Sequence, residues 1–305
     1  MNLETLITAI KSNQNCRTIV VAHATDITLF LAAKQALDER LASFIFVGPS
    51  DLMTDLAKEV GLFQGLDENE RIRFVHSDND ISSANQAVQL VRKGEGDIVM
   101  KGMLATSLLL KAVLNKDFGL RTGNVLSHLA GFSLSERDSF LFVTDAAINI
   151  APDLNGKVQI LQNAVEAVGN MGINEPKVAV IAAVETVNTS MQATLDAAAL
   201  TMMNRRGQIK QCVVDGPLAL DNAVSVDAAK QKGIDSKVAG YADIIIVPSI
   251  EVGNVLYKSL TIFGKAIVGG IIVGAKAPII LTSRADSIES KMLSMTMALS
   301  TVTVD

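Results

Sequence analysis

Four short stretches carry side chains able to hold an anion or move a proton, and each follows a run of apolar residues. Leu281–Ser287 (LTSRADS) sets Ser283 and Arg284 just ahead of Asp286 and Ser287, either of which can cap a following helix. A guanidinium beside the unpaired N–H groups of a helix start suits a phosphate. A surface Arg paired with Asp286 or Glu289 is the plainer alternative, and it would contribute little. Val247–Asn254 (VPSIEVGN) offers Ser249 as a cap and Glu251 in the first turn, where its charge suits the helix start. Asn254, Tyr257 and Lys258 follow at helical spacing, so Glu251, Asn254 and Lys258 can share a face. Val143–Asp153 (VTDAAINIAPD) holds Asp145 and Asn149 in an apolar run. They can position a polar substrate, but Asp145 can equally cap a turn and Asp153 the helix after it. Lys101-Gly102-Met103, ahead of Thr106 and Ser107, looks like half of a phosphate cradle without the GxxxxGK[ST] spacing.

Such groups need strands and helices to aim them. Short β-branched runs at Thr18–Val21, Ser43–Val47, Ile72–Val75, Asp97–Met100, Phe140–Val143, Lys177–Ile181, Gln211–Val214, Asp243–Val247, Ala266–Val273 and Ile279–Leu281 read as strands buried on both faces. Amphipathic stretches at Ile27–Arg40, Ile81–Lys93, Leu154–Gly169, Met191–Arg205, Val252–Phe263 and Ser287–Leu299 read as helices between them. This alternation predicts an α/β fold of parallel-type sheet flanked by helices. Phe118–Leu134 breaks the pattern and reads as irregular or as a strand pair. At 305 residues two domains are expected, 1–148 with 265–305 and 149–264. Ligands in such sheets gather beyond the carboxyl ends of the strands, where the polar segments above fall.

Composition excludes several functions. A net charge of −5 without a basic block gives no footprint for nucleic acid. Cys16 and Cys212 stand far apart, read as small core residues, and fit a reducing cytoplasm. The three His are scattered and no HExxH or CxxC occurs, so no metal site is expected. The N-terminal MNLETLITAIKS reads as an amphipathic helix and not a signal peptide. The apolar run Ala266–Leu281 is broken by glycines, Lys276 and Pro278, so no membrane span is expected. Gly269-Gly270 suggests close backbone packing, and Met292, Met295 and Met297 read as core.

Taken together and in this order, Phe142–Asp153 (FVTDAAINIAPD), Val247–Lys258 (VPSIEVGNVLYK) and Ser283–Ser290 (SRADSIES) resemble the phosphate acetyl/butyryl transferase family. Val214–Ala223 (VDGPLALDNA), Lys101–Leu114 and Leu120–His128 (LRTGNVLSH) look like its butyryl branch. The resemblance implies a two-domain fold like that of the isocitrate and isopropylmalate dehydrogenases, with the site in the interdomain cleft, and a homodimer or higher homo-oligomer. It implies exchange of coenzyme A and phosphate on a short acyl group (butanoyl-CoA + phosphate ⇌ butanoyl phosphate + CoA), with coenzyme A as a substrate and no bound cofactor. Phosphate acetyltransferase, or a non-catalytic module sensing acyl-CoA or acyl phosphate, are the alternatives. Ser283 and Arg284 match the family's active-site Ser-Arg pair. Asp145, Asn149, Glu251, Asn254, Lys258, Lys101 and Ser127 are the expected substrate contacts. The family's proposed base, an Asp seven residues after the Ser, is Ser290 here, and a family Arg is Lys111. Asp286, Glu289 and His128 therefore stand as candidate proton acceptors.

Overall fold

The computed structural model describes residues 1–12, 16–63, 71–283 and 285–302. Two compact units emerge, a terminal unit of Leu3–Asn124 with Gly269–Asp305 and a middle unit of Val125–Val268 with Met1–Asn2. The terminal unit opens with α1 (Leu3–Ser12), β1 (Arg17–Ala22), α2 (Ile27–Asp38), β2 (Ala42–Gly48), α3 (Ser50–Glu59), β3 (Ile72–His76), α4 (Asp80–Arg92), β4 (Ile98–Lys101) and α5 (Thr106–Val113). The middle unit holds β5 (Ser127–Ser133), β6 (Leu141–Thr144), α6 (Leu154–Asn170), β7 (Lys177–Ile181), α7 (Gln192–Arg205), β8 (Val213–Leu218), α8 (Leu220–Val224), α9 (Val226–Gln231), β9 (Ile244–Ile246) and α10 (Ile250–Ile262). The chain returns through β10 (Ile267–Val273), β11 (Ile279–Ile280) and α11 (Ile288–Thr301).

In the terminal unit the strands run β3-β2-β1-β4-β11-β10, parallel except where β10 meets β11. Successive residues Ile19 to Ala22 are all fully buried, which requires cover on both faces of the sheet. One helix group packs α1 on α11 and α11 on α2, while α4 packs with α5. Phe46 stacks on Phe30 at 4.7 Å and on Phe44 and Phe74 at 5.5 Å, joining α2, β2 and β3 into one aromatic core. The methionines of α11 are buried as expected. A Cβ on Gly269 would lie 2.7 Å from Leu293, so β10 meets α11 at backbone distance.

In the middle unit the order is β5-β6-β9-β7-β8, parallel except for the β5–β6 pair. The segment that broke the sequence pattern ends in β5, which pairs with β6. That pairing places β5 and β6 in the middle unit, so the units change at 124/125 and 268/269, against the 148/149 and 264/265 expected from sequence. Cys212 is buried as expected, but Cys16 is not a core residue: it is exposed, its Sγ 3.4 Å from Ser43 Oγ. Among the described residues no helix is long and apolar enough to cross a membrane. Nor do three or more His, Cys, Asp or Glu group there to hold a metal.

Candidate active site

In the terminal unit the polar residues sit at adjacent strand ends. Parallel β4 and β11 align Met100 with Ile280, and one residue on, Thr282 Oγ1 donates to Lys101 O at 3.4 Å. Gly102 closes on β1: its N–H donates to Ala22 O at 2.9 Å, and a Cβ there would lie 2.3 Å from His23 O. Only glycine permits that approach. Lys101 is buried, and its ammonium donates to Gly102 O at 3.2 Å and Leu104 O at 3.5 Å. Past β11, Asp286 closes a turn by accepting from Ser283 N at 2.6 Å. Lys291, buried on α11, donates to Asp286 O at 2.7 Å and fixes the turn from below. Ser287 caps α11 by accepting from Ser290 N, as the sequence suggested. Ser283 is exposed at this edge, and Arg284 lies outside the described residues.

In the middle unit the segment after β6 is organised by one carboxylate. Asp145 Oδ1 accepts from Ala147 N at 2.8 Å and Ile148 N at 3.0 Å; Oδ2 accepts from Asn149 N at 3.3 Å and Asn149 Nδ2 at 2.7 Å. Those four bonds fill its acceptor positions while the residue is 3% exposed. Asn149 Nδ2 also donates to Leu126 O at 2.8 Å, tying the turn to the start of β5. Helix α10 lands on this turn: Ile250 N donates to Ile150 O at 2.9 Å, and a Cβ on Gly253 would lie 2.6 Å from Asp145 O. Asn254 Nδ2 reaches Ala146 O at 3.5 Å.

The fold thus brings Asp145, Asn149, Asn254 and the start of β5 together, and Lys101 beside the Ser283 segment. Ser127 is fully buried and its Oγ accepts from Asn163 Nδ2 at 3.0 Å. Ser249 occupies the N-cap position of α10, but its side chain makes no capping bond to a described backbone N–H of the helix. Its hydroxyl is the first cause that lowers the Glu251 pKa, followed by the Glu251 backbone N–H. Lys258 stands further along α10, its ammonium 5.7 Å from the Tyr257 ring centroid.

The candidate bases separate on environment. The Glu289 carboxyl is lowered by its own backbone N–H and then by the Ser287 hydroxyl, which makes it a weaker base. Asp286 is engaged by Ser283 N. His128 is 4% exposed, its Nδ1 has no hydrogen-bond partner among the described residues, and burial lowers its pKa against the opposing charge of Asp145.

One pair went unnoticed in the sequence. Lys157 on α6 and Asp196 on α7 form a buried ion pair at 2.5 Å, and Gln192 Nε2 donates to Asp196 Oδ1 at 2.9 Å. They line a cavity of about 570 Å³ with Ala151, Pro152 and Pro248, at the carboxyl ends of β6 and β9. The signal was available: Leu154, Lys157, Ile160, Leu161, Ala164 and Val168 share one helical face, so Lys157 stands at a core position.

Residues 65–299 match the family described as "Phosphate acetyl/butaryl transferase". The chain is 50% identical to a "Probable phosphate butyryltransferase" of Bacillus subtilis (strain 168), over 98% of this chain and 97% of that protein. Among solved structures it is similar to a branched-chain phosphotransacylase from Enterococcus faecalis V583. That likeness has a TM-score of 0.80 and 36% identity, covering 94% of this chain and 99% of the other. A 4-hydroxythreonine-4-phosphate dehydrogenase from Klebsiella pneumoniae shares the fold at 12% identity and a TM-score of 0.55, over 95% of this chain and 100% of the other. The dehydrogenase-like fold expected from sequence is therefore present.

Proposed function

The chain belongs to the phosphate acetyl/butyryl transferase family, and from that premise we propose that it exchanges coenzyme A and phosphate on butanoyl or a similar short acyl group. It is an acyltransferase. The reading places it in the cytoplasm as a homo-oligomer, with coenzyme A as substrate and no bound cofactor.

The thiol of coenzyme A attacks the acyl carbonyl of the acyl phosphate, and phosphate leaves. No protein nucleophile is required, because both partners are bound at once. A thiol with a pKa of about 8.5 is only a few per cent ionised at pH 7, so a proton acceptor or a local positive field speeds the attack. Preorganised donors facing the tetrahedral oxyanion contribute about 3–4 kcal/mol each. Arg284 is assigned to the phosphate and that oxyanion, with Ser283 beside it. Lys101 adds a fixed positive charge at the neighbouring strand end. The Asp145 turn orients Asn149 and the backbone against α10, with Asn254 alongside. Glu251 and Lys258 are left for the outlying parts of coenzyme A.

What supports this reading most is the meeting of Lys101 with the Ser283 segment at adjacent strand ends, in a chain of this family. Initial rates with phosphate and a panel of acetyl-, propanoyl-, butanoyl- and branched acyl-CoA test it. Butanoyl or branched substrates should give the highest kcat/KM, with overlap, since one methylene is worth about 1–3 kcal/mol. Acetyl-CoA ranking first would move the chain to the acetyl branch. Double-reciprocal plots should intersect, and parallel lines would indicate a covalent acyl-enzyme instead.

A further inference from the structure

We propose that Ser50, His76 and Asp78 form a second acyl-handling centre in the terminal unit, a hydrolytic triad for activated short-chain esters and thioesters. Parallel β2 and β3 align Gly48 with His76, and Ser77 N extends the pairing by donating to Gly48 O at 2.9 Å. Two residues past Gly48, Ser50 opens α3 and meets the His76 ring. Ser50 Oγ lies 3.1 Å from His76 Nδ1, and His76 Nε2 lies 3.0 Å from Asp78 Oδ1.

The tautomer follows from a third contact. The Ser50 backbone N–H donates to the same Nδ1 at 3.4 Å. An amide N–H can only donate, so Nδ1 carries the lone pair and Nε2 the proton. The Ser50 hydroxyl therefore donates to Nδ1, and Nε2–H donates to Asp78. A nucleophile, a base and a carboxylate behind the base stand in the order that activates serine. The ring nitrogens exchange their more usual places. Thr54 Oγ1 donates to Ser50 O at 2.8 Å and holds the nucleophile's backbone. Pro49, at the N-cap of α3, offers no side-chain cap bond, and His76 Nδ1 takes only the Ser50 N–H of the first turn among the described residues. The N–H groups of Asp51 and Leu52 thus lie beside Ser50 as donors for an oxyanion.

The chemistry balances without another reactant than water. Ser50 Oγ forms a C–O bond to the acyl carbon while its proton passes to His76 Nδ1. The C–S bond of the thioester (or the C–O bond of an ester) breaks, and the leaving group takes that proton. Water then attacks the acyl-serine, His76 relays its proton back to Ser50, and a carboxylic acid departs. The His76 and Asp78 side chains are 61% and 86% exposed, so the centre is open to substrate and its catalysis modest. Unlike the exchange reaction, this hydrolysis needs no phosphate.

The test uses the full chain with p-nitrophenyl butanoate and butanoyl-CoA in phosphate-free buffer, with a fluorophosphonate probe mapped by mass spectrometry. Phosphate-dependent thiol release is followed in parallel. The probe should label Ser50. Ser50→Ala should fall to the uncatalysed background, His76→Asn by about 100-fold, and Asp78→Asn by less because it is so exposed. Phosphate-dependent release should be the same in all variants. Hydrolysis by Ser50→Ala equal to that of the unaltered chain, its absence from the unaltered chain, or labelling elsewhere would overturn the proposal. If Ser50→Ala fails to fold, His76→Asn and the label decide. Loss of exchange in the unaltered chain would strike the transferase reading alone.

Discussion

Two strand-end turns, each built by an aspartate and each leading into a capped helix, solve opposite problems. The turn after β6 encloses Asp145 almost completely and consumes its carboxylate on four N–H groups. Among the described residues, the Asp286 carboxylate of the turn after β11 takes a single backbone N–H, and Ser283 is left exposed. The first is a rigid platform on which α10 rests at glycine distance. The second leaves Ser283 open to solvent while Lys291 anchors it from inside. Both are strand-end Asp turns in the sequence, yet only one encloses its carboxylate almost completely.

The comparison breaks most visibly in kinetics. Arg284→Gln should lower kcat/KM for phosphate-dependent thiol release by about 100-fold or more, the loss of one oxyanion donor, with little change in melting temperature. Asp145→Ala should do the reverse in kind. Stranding four donors in a buried turn should cost about 3 kcal/mol or more in denaturant unfolding, and Asp145→Asn should cost less. If Asp145→Ala left stability unchanged, the platform role would be lost.

A smaller effect sharpens the picture of the buried turn. Burial lowers the folded pKa of His128, with the Asp145 charge opposing, while in the unfolded chain it is near 6.5. Between these values the unfolded chain binds the extra proton, so stability is lost as pH falls below about 6.5. His23, lowered chiefly by burial, acts in the same direction. The fall in melting temperature between pH 7.5 and 5.5 should be reduced in His128→Leu, and an unchanged fall would remove His128 from the acid response. Smallest of all, Ser290→Ala should leave kcat within about twofold, since α11 is capped through the Ser290 backbone N–H. A large drop there would give Ser290 a place in proton transfer.

How much of this was legible depends on how far apart in sequence the partners lie. Strands such as β1 and β9 announce themselves through consecutive branched residues, and Ser287 and Asp153 through cap spacing. Helix α3 escaped notice because only Met53 and Ala57 of its ten residues are buried, too thin a stripe to read. The eight-residue α5 was not among the expected helices; its Thr-Ser start was noted only as following the Lys101-Gly102-Met103 half-cradle. Strand β8 runs from Val213 to Leu218, through Gly216-Pro217, where the sequence reading had the strand end at Val214. At the site, the polar identity of Asp145 was plain, but whether its carboxylate faces substrate or its own backbone depends on a turn that sequence spacing leaves open. The Lys157–Asp196 and Ser50–His76 meetings depend on partners 39 and 26 residues apart, which only the assembled sheets bring together.

The central claim, exchange between coenzyme A and phosphate, is tested most directly by incubating the pure chain with butanoyl-CoA and following free thiol with and without inorganic phosphate. Thiol release that rises and saturates with phosphate, and that yields butanoyl phosphate in equal amount, is the predicted result. Release with no phosphate-dependent part above the phosphate-free rate, or none with any short acyl-CoA, would contradict it.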